Sequence, residues 1–275
     1  MLDEQTKTST MSPRAIGSFT LASKMRDSRT VLDGLRQSGA YKLLFPRPNS
    51  AALNSILVNT SGGLTGGDRF SGSITVGPSS HLRLTTQAAE RAYKSQPNQI
   101  AKVEVKAHVA AGARLDWLPQ ETILFDRSAL RRHLRIDLEP GARALLVEPL
   151  IFGRAAMGEA LTALSFHDRI TLTRAGVPLY MDAIALSGDV AAQLARPATL
   201  NGARAVANVV LAAPEAEGFL QPIRALLSGT GGVSLIEDGL LALRLVGRDG
   251  YALRKRLVPV LHLLTQNDLP RSWML

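Results

Sequence analysis

The stretch LRIDLEPGARALL, residues 134–146, decides the fold. Apolar and polar side chains alternate on either side of a proline and a glycine. Alternation with a period of two gives a strand one inward face, and a glycine turn between two such runs is a strand–turn–strand signal. The same plan stands twice upstream, as ITVGPSSHLRL (74–84) and VKAHVAAGARL (105–115). Gly77, Gly112 and Gly141 mark the turns, at intervals of 35 and 29 residues. Recurrence at a loosely fixed spacing implies stacked β units rather than one hairpin.

Further strand signals follow in RITLTR (169–174), in VPLYM (177–181) across the turn Ala175-Gly176, and over residues 203–212 and 240–246. Helix is scarcer. Pro214, Glu215 and Glu217 read as a helix start, with acids against the positive end of the dipole, before Phe219, Leu220, Ile223 and Leu227 at helical spacing. A second helix is expected from about residue 251 to 264, with Leu253, Leu257, Leu261 and Leu264 on one stripe. Pro222 and Pro259 fall inside these patterns and are expected to kink or shorten them. The expected fold is mainly β and layered, with two α-helices toward the C-terminus. It forms one domain over residues 13–275, after a polar, flexible segment at residues 1–12.

A chain of 275 residues with 45% hydrophobic content can bury a continuous core. No apolar run approaches the roughly 20 residues that cross a bilayer, and the first residues lack a secretory pattern. A soluble, cytoplasmic protein without a membrane partner is expected. With no cysteine, disulfides, thiolate metal sites and cysteine nucleophiles are excluded. The formal charge of +9 favours anionic partners. The densest basic runs, RRHLR (131–135) and RKR (254–256), are not interleaved with the aromatics that stack on bases. They read as solvated faces or docking rims, with a phosphate-contact patch as the alternative, and no nucleic-acid partner is expected.

The stretch VNTSGGLTGGD (58–68) holds two glycine pairs and closes on an acid. A phosphate-binding loop needs a lysine after its last glycine, where this chain has Asp68. A serine-hydrolase elbow of the form G-x-S-x-G is absent as well. What remains is conformational: Gly62, Gly63, Gly66 and Gly67 are expected to make successive sharp corners between strands. Asp68 either caps such a corner or presents a carboxylate on it.

This stretch, continued as VNTSGGLTGGDRF, resembles the signature of the urease accessory proteins called UreD, or UreH in some organisms. LRQSGAYKLLFPR (35–47), LTTQAAERAYKS (84–95), LDWLPQETILFD (115–126), EPLIFGRAAMGE (148–159) and LPRSWML (269–275) resemble the family too, in the family's order. The resemblance runs from about residue 15 to the C-terminus; Pro259 in the last helix departs from it. It implies a layered, helix-like wrapping of β-strands with two helices. It further implies a non-enzymatic scaffold for nickel insertion, which binds UreF, reaches the GTPase UreG through UreF, and docks on apo-urease subunits. No cofactor is then tightly bound, and Ni²⁺ is in transit through a water-filled tunnel.

Ni²⁺ stands high in the divalent affinity order, so clustered imidazoles or thiolates would trap it. His81, His108, His133, His167 and His262 lack the paired spacing of such a site. Carboxylates in the family-like blocks are the candidates for weak, transient metal passage: Asp68, Glu121, Asp126, Glu148 and Glu159, with Asp182 beside them. Glu121 ranks first, because its apolar flanks point to an interior position. Each has a structural alternative, as a turn cap, a backbone anchor or, for Glu148 and Glu159, a partner of Arg154. Arg91, Tyr93, Lys94 and Trp273 are candidates for partner binding, against an exposed loop and an anchored tail. The competing reading is a hydrolase built on carboxylates such as Glu121 and Asp126.

Overall fold

In the computed structural model, which describes residues 13–47, 50–227, 229 and 231–274, each of the three glycine turns carries the chain from one β-sheet into another. The chain opens with the hairpin β1 (Ile16–Arg26) and β2 (Arg29–Gly39), then β3 (Tyr41–Leu44) and β4 (Leu53–Asn59). Next come β5 (Arg69–Val76), β6 (His81–Thr86), the short β7 (Glu90–Ala92), β8 (Ala101–Val109), β9 (Arg114–Leu118) and the short β10 (Thr122–Leu124). The third arch joins β11 (Ala129–Leu138) to β12 (Arg143–Phe152), and a hairpin follows, β13 (Leu164–Arg174) and β14 (Val177–Gly188). After α1 (Val190–Ala195) come β15 (Ala205–Ala212), α2 (Leu220–Leu226), β16 (Gly231–Glu237), β17 (Leu240–Gly247) and α3 (Gly250–Leu264).

The first sheet runs β14-β13-β11-β8-β5-β1-β2, and the path of the second runs β16-β17-β15-β12-β9-β6-β4-β3. In the first, β13 through β1 are parallel; in the second, β12 through β4 are. Each glycine turn is therefore an arch between sheets, and the next arch stacks on it in register. Ile74 lies opposite Ala107, Ala107 opposite Ile136, and Ile136 opposite Leu172. Positive φ at Gly112 (66°) and Gly141 (76°) is what the arches demand of these positions. The mainly β, stacked-coil architecture is the one the repeat implied.

Two apolar cores result. The inward stripes of both sheets, among them Leu21, Ile74, Ile136, Leu84, Leu115 and Leu146, form the first. The far face of the second sheet packs against α2 and α3 to form the other, with Leu118, Val209, Leu243, Leu257 and Trp273. All eight residues of β15, AVANVVLA, are buried because both of its faces are covered.

Both expected helices are present. The first begins with a 3₁₀ turn at Ala216–Phe219 before α2, and Pro222 falls in its first turn, where a missing N–H has no intrahelical partner to lose. The second, α3, runs through Pro259 and buries the expected stripe of Leu253, Leu257, Leu261 and Leu264. The short α1, capped by Asp189 accepting from the Ala192 N–H at 2.9 Å, was not anticipated. The segment 1–12 lies outside the described residues. No described helix is long and apolar enough to cross a membrane.

Candidate functional site

Polar side chains interrupt the inward stripes at one level of the stack. On β11 the inward series is Leu130, Arg132, Leu134, Ile136 and Leu138; on β13 it is Leu164, Phe166, Asp168, Ile170 and Leu172. Register sets Arg132 opposite Asp168. Across the core, β12 contributes Glu148 and β9 contributes Trp117.

The Arg132 guanidinium meets the Asp168 carboxylate at 2.5 and 3.1 Å, Glu148 Oε2 at 3.0 Å and Thr122 Oγ1 at 2.9 Å. Glu148 Oε1 accepts from Trp117 Nε1 at 2.8 Å. Side-chain exposure is only 13% for Arg132 and 8% for each acid. Burial works against the Arg132 charge, but Asp168 and Glu148 outweigh it and raise the guanidinium above its already high range. Burial raises the Glu148 carboxyl, and the Asp168 charge adds to this, against Arg132 and the Trp117 hydrogen bond.

These groups line an inter-sheet cavity of about 230 Å³, together with Tyr41, Val103, Glu90 and Arg91. Burial also raises Glu90, opposed by the Asn59 hydrogen bond and by the charges of Arg132 and Arg91. With Asp168 and Glu148 already sharing Arg132, the wall offers carboxylate oxygens. Among the described residues no group of three or more His, Asp or Glu side chains is arranged to hold a metal. Because burial raises both Glu90 and Glu148, these carboxyls take up a proton more readily than exposed ones do.

The glycine stretch and the segment 86–91 frame the mouth, and Gly62, Ala88 and Arg91 line it. Asn59 Nδ2 donates to Glu90 Oε2 and to the Gly63 carbonyl, both at 3.0 Å. Tyr93 stands edge-on to Phe125 and donates its hydroxyl to the Gly62 carbonyl at 3.2 Å. Gly63 has φ 152°, and a Cβ there would lie 2.3 Å from Tyr93 Cε2 and 2.8 Å from the Arg91 carbonyl oxygen. Gly63→Ala is therefore expected to lower stability by about 2 kcal/mol, read as a shift of the urea midpoint. Gly62→Ala, with nothing within 4 Å, is expected to lose about half as much, because only its positive φ opposes the side chain.

The structure gives the other sequence-derived acids different surroundings. Asp68 accepts from the Ala15 N–H at 2.9 Å and the Thr65 N–H at 2.8 Å, so it caps the glycine corner. Glu121 is buried, as its flanks implied, but it faces Arg254 at 2.9 Å. Asp126 accepts from the Thr162 and Ala163 N–H groups at 2.7 and 3.1 Å. Glu159 accepts from the N–H groups of Arg154 and Asp126 at 2.9 and 3.1 Å and pairs with the Arg154 guanidinium. Asp182 accepts from Asn208 Nδ2 at 2.9 Å and Arg244 Nη2 at 2.7 Å. Of the six, Glu148 alone lines the cavity. Arg91 and Lys94 are exposed, and Trp273 is buried in the second core, donating from Nε1 to the Leu118 carbonyl at 3.0 Å.

Sequence reasoning missed Glu90, Arg132 and Asp168. Arg132 is hidden in RRHLR, a run that reads as a solvated face or docking rim. The available signal was period two, which turns Arg132 inward with Leu130 and Leu134 while Arg131 and Arg135 point out. Asp116 was also passed over. It is fully buried and accepts from His81 Nε2 at 2.7 Å, Arg114 Nε at 2.7 Å and Arg83 Nε at 3.3 Å. Burial pushes its carboxyl up, but these three groups outweigh it and hold the carboxyl below its ordinary range.

A sequence profile described as "UreD urease accessory protein" matches residues 15–274. The chain is 50% identical over 263 residues to the urease accessory protein UreD of Roseobacter denitrificans, covering 96% of each chain. It is 48% identical over 253 residues to that of Ruegeria pomeroyi, covering 92% of this chain and 98% of the relative. The corresponding protein of Rhizobium etli is 43% identical over 270 residues, with 98% of each chain covered. The profile spans both sheets, the cavity and the C-terminal tail, and on that match the chain belongs to the UreD family of urease accessory proteins.

Proposed function

We propose that this protein is a non-enzymatic, cytoplasmic scaffold of urease maturation that hands Ni²⁺ toward apo-urease through its inter-sheet cavity. UreF would bind it directly, and the GTPase UreG would be recruited through UreF. The observation that carries this reading is the buried pair Glu148 and Asp168, which shares the Arg132 guanidinium, with the half-buried Glu90 beside it on the wall of a cavity between two β-sheets. Family membership supplies the urease context. Carboxylate oxygens suit a cation that must keep part of its water shell and move on, whereas imidazole or thiolate clusters would retain it.

The test is co-expression of the urease and accessory genes with the Glu90→Gln, Glu148→Gln double variant. Asp168 still neutralises Arg132 in this variant, and the amide oxygens can still accept from Asn59 and Trp117. Urease activation at limiting nickel is expected to fall about tenfold, while the variant is still captured with UreF. Unchanged activation, or loss of UreF capture, overturns the assignment of these acids to passage.

A further inference from the structure

The outward face of the first sheet carries a basic ladder that neither the fold nor the cavity uses. In register across the parallel strands lie Arg69, Lys102, Arg131 and His167. The next outward row holds Glu104, His133 and Arg169, and the one after it Lys106 and Arg135. Partners in adjacent strands sit about 4.8 Å apart, and like charges directly opposite one another are destabilising. Among the described residues, none of Arg69, Lys102, Lys106, Arg131, Arg135 and Arg169 lies within 4.0 Å of a carboxylate. Within the row, burial and the charges of Arg135 and Arg169 hold the His133 imidazole below its ordinary range, against Glu104 and Asp168.

The same three rows continue onto β14 as Ala185, Ala183 and Met181. Met181 is 61% exposed, and Arg169 Nη2 donates to its sulfur at 3.0 Å. A groove of about 380 Å³ joins the cations to this apolar column. β14 is also an edge strand of 12 residues, and among the described strands none pairs with its outer side. Arginine and methionine beside apolar surface are the composition of a protein–protein contact. No Phe, Tyr or Trp stands among the outward residues of these rows to stack on a base, and the rows end on the apolar column of β14.

We infer that the outward face of β8, β11 and β13, bounded by the free edge of β14, is a docking surface for an acidic protein partner. The carboxylates of that partner meet the ladder, and its apolar residues meet Met181, Ala183 and Ala185. This inference does not rest on nickel transfer, because binding is read with neither nickel nor urease present.

The test measures fluorescence anisotropy of a labelled glutamate–leucine peptide, and of duplex DNA of matched charge, at low ionic strength. The Lys102→Ser, Arg131→Ser, Arg169→Ser variant is expected to bind the peptide about tenfold more weakly, from the loss of three exposed charge pairs. A control that removes the same charge at the far edge of the sheet, Arg26→Ser, Arg29→Ser, Arg36→Ser, is expected to keep wild-type affinity. Arg131→Gln alone is expected to lose about two- to threefold, which gives the same reading with one side chain altered. Equal losses in the triple variant and the control reduce the effect to net charge and overturn the inference. Tighter binding of the DNA than of the peptide assigns the face to nucleic acid and overturns it too, as does the absence of peptide binding by the wild type.

Discussion

Arg132→Met is expected to lower stability by about 3–5 kcal/mol at neutral pH. The guanidinium neutralises Asp168 and Glu148 inside a core where each is only 8% exposed. It also hydrogen-bonds Thr122 and lies over the Phe166 ring at 5.6 Å. Methionine replaces the volume and leaves two buried carboxylates facing each other with Glu90 nearby. The loss has a distinctive pH dependence. Without a cation, burial and mutual repulsion raise the folded-state pKa values of these acids above their unfolded values. The folded state then binds protons more readily than the unfolded state, so the penalty is complete above the folded pKa values. It is relieved as pH falls through them toward the ordinary carboxylate range. Urea unfolding of the wild type and of Arg132→Met across that range should show the gap closing toward acid. Combining Arg132→Met with Glu148→Gln and Asp168→Asn should recover most of the loss, because replacing all partners of a buried ionic group removes the uncompensated charge. A gap below about 1 kcal/mol that ignores pH is what solvent-screened pairs give, and it would remove the cluster from the buried interior.

That cluster shows where sequence periodicity stops being informative. Alternation over residues 134–146 sufficed to find the arches, because a period of two and a glycine corner are local properties. It also sorts Arg132 from Arg131 and Arg135, once the strand is known to begin near Leu130. It does not reveal that Arg132 meets Asp168, 36 residues later. That meeting depends on how each coil stacks on the last, a register set jointly by all the inward side chains. Glu121 is the complementary case. Its apolar neighbours implied burial, and it is buried, but they carried no information on which core it faces or that Arg254 would meet it. The short α1 escaped notice because six residues give too little periodicity to read, leaving the Asp189 cap as its main local mark. Pro259 removes the N–H that would bond the Lys255 carbonyl, yet α3 continues through it. Burial of Leu253, Leu257, Val260, Leu261 and Leu264 against the second sheet outweighs that local cost.

Trp273→Ala is expected to lower stability by about 3–5 kcal/mol, although the residue lies in the last few of the chain. The indole is 1% exposed in the second core. Its removal leaves a void between α3 and the second sheet, and the Leu118 carbonyl loses the Nε1–H that reaches it at 3.0 Å. The effect extends further through Arg254. That guanidinium covers the indole at 5.0 Å and donates to the Trp273 and Ser272 carbonyls at 2.8 and 3.2 Å. From the same side chain it holds Gln120 Oε1 at 2.8 Å and Glu121 Oε1 at 2.9 Å. Gln120 lines the inter-sheet cavity, so the tail and the cavity wall share one cation. Trp273→Phe separates the two contributions. It keeps most of the apolar volume and the ring face for Arg254 but deletes the indole N–H, and a loss of about 1–3 kcal/mol is expected. If the tail braces the cavity wall, Trp273→Ala should also lower urease activation at temperatures where urea titration shows the variant still folded, and Trp273→Phe should activate normally. Full activation by folded Trp273→Ala would instead confine the tail to stabilising the second core.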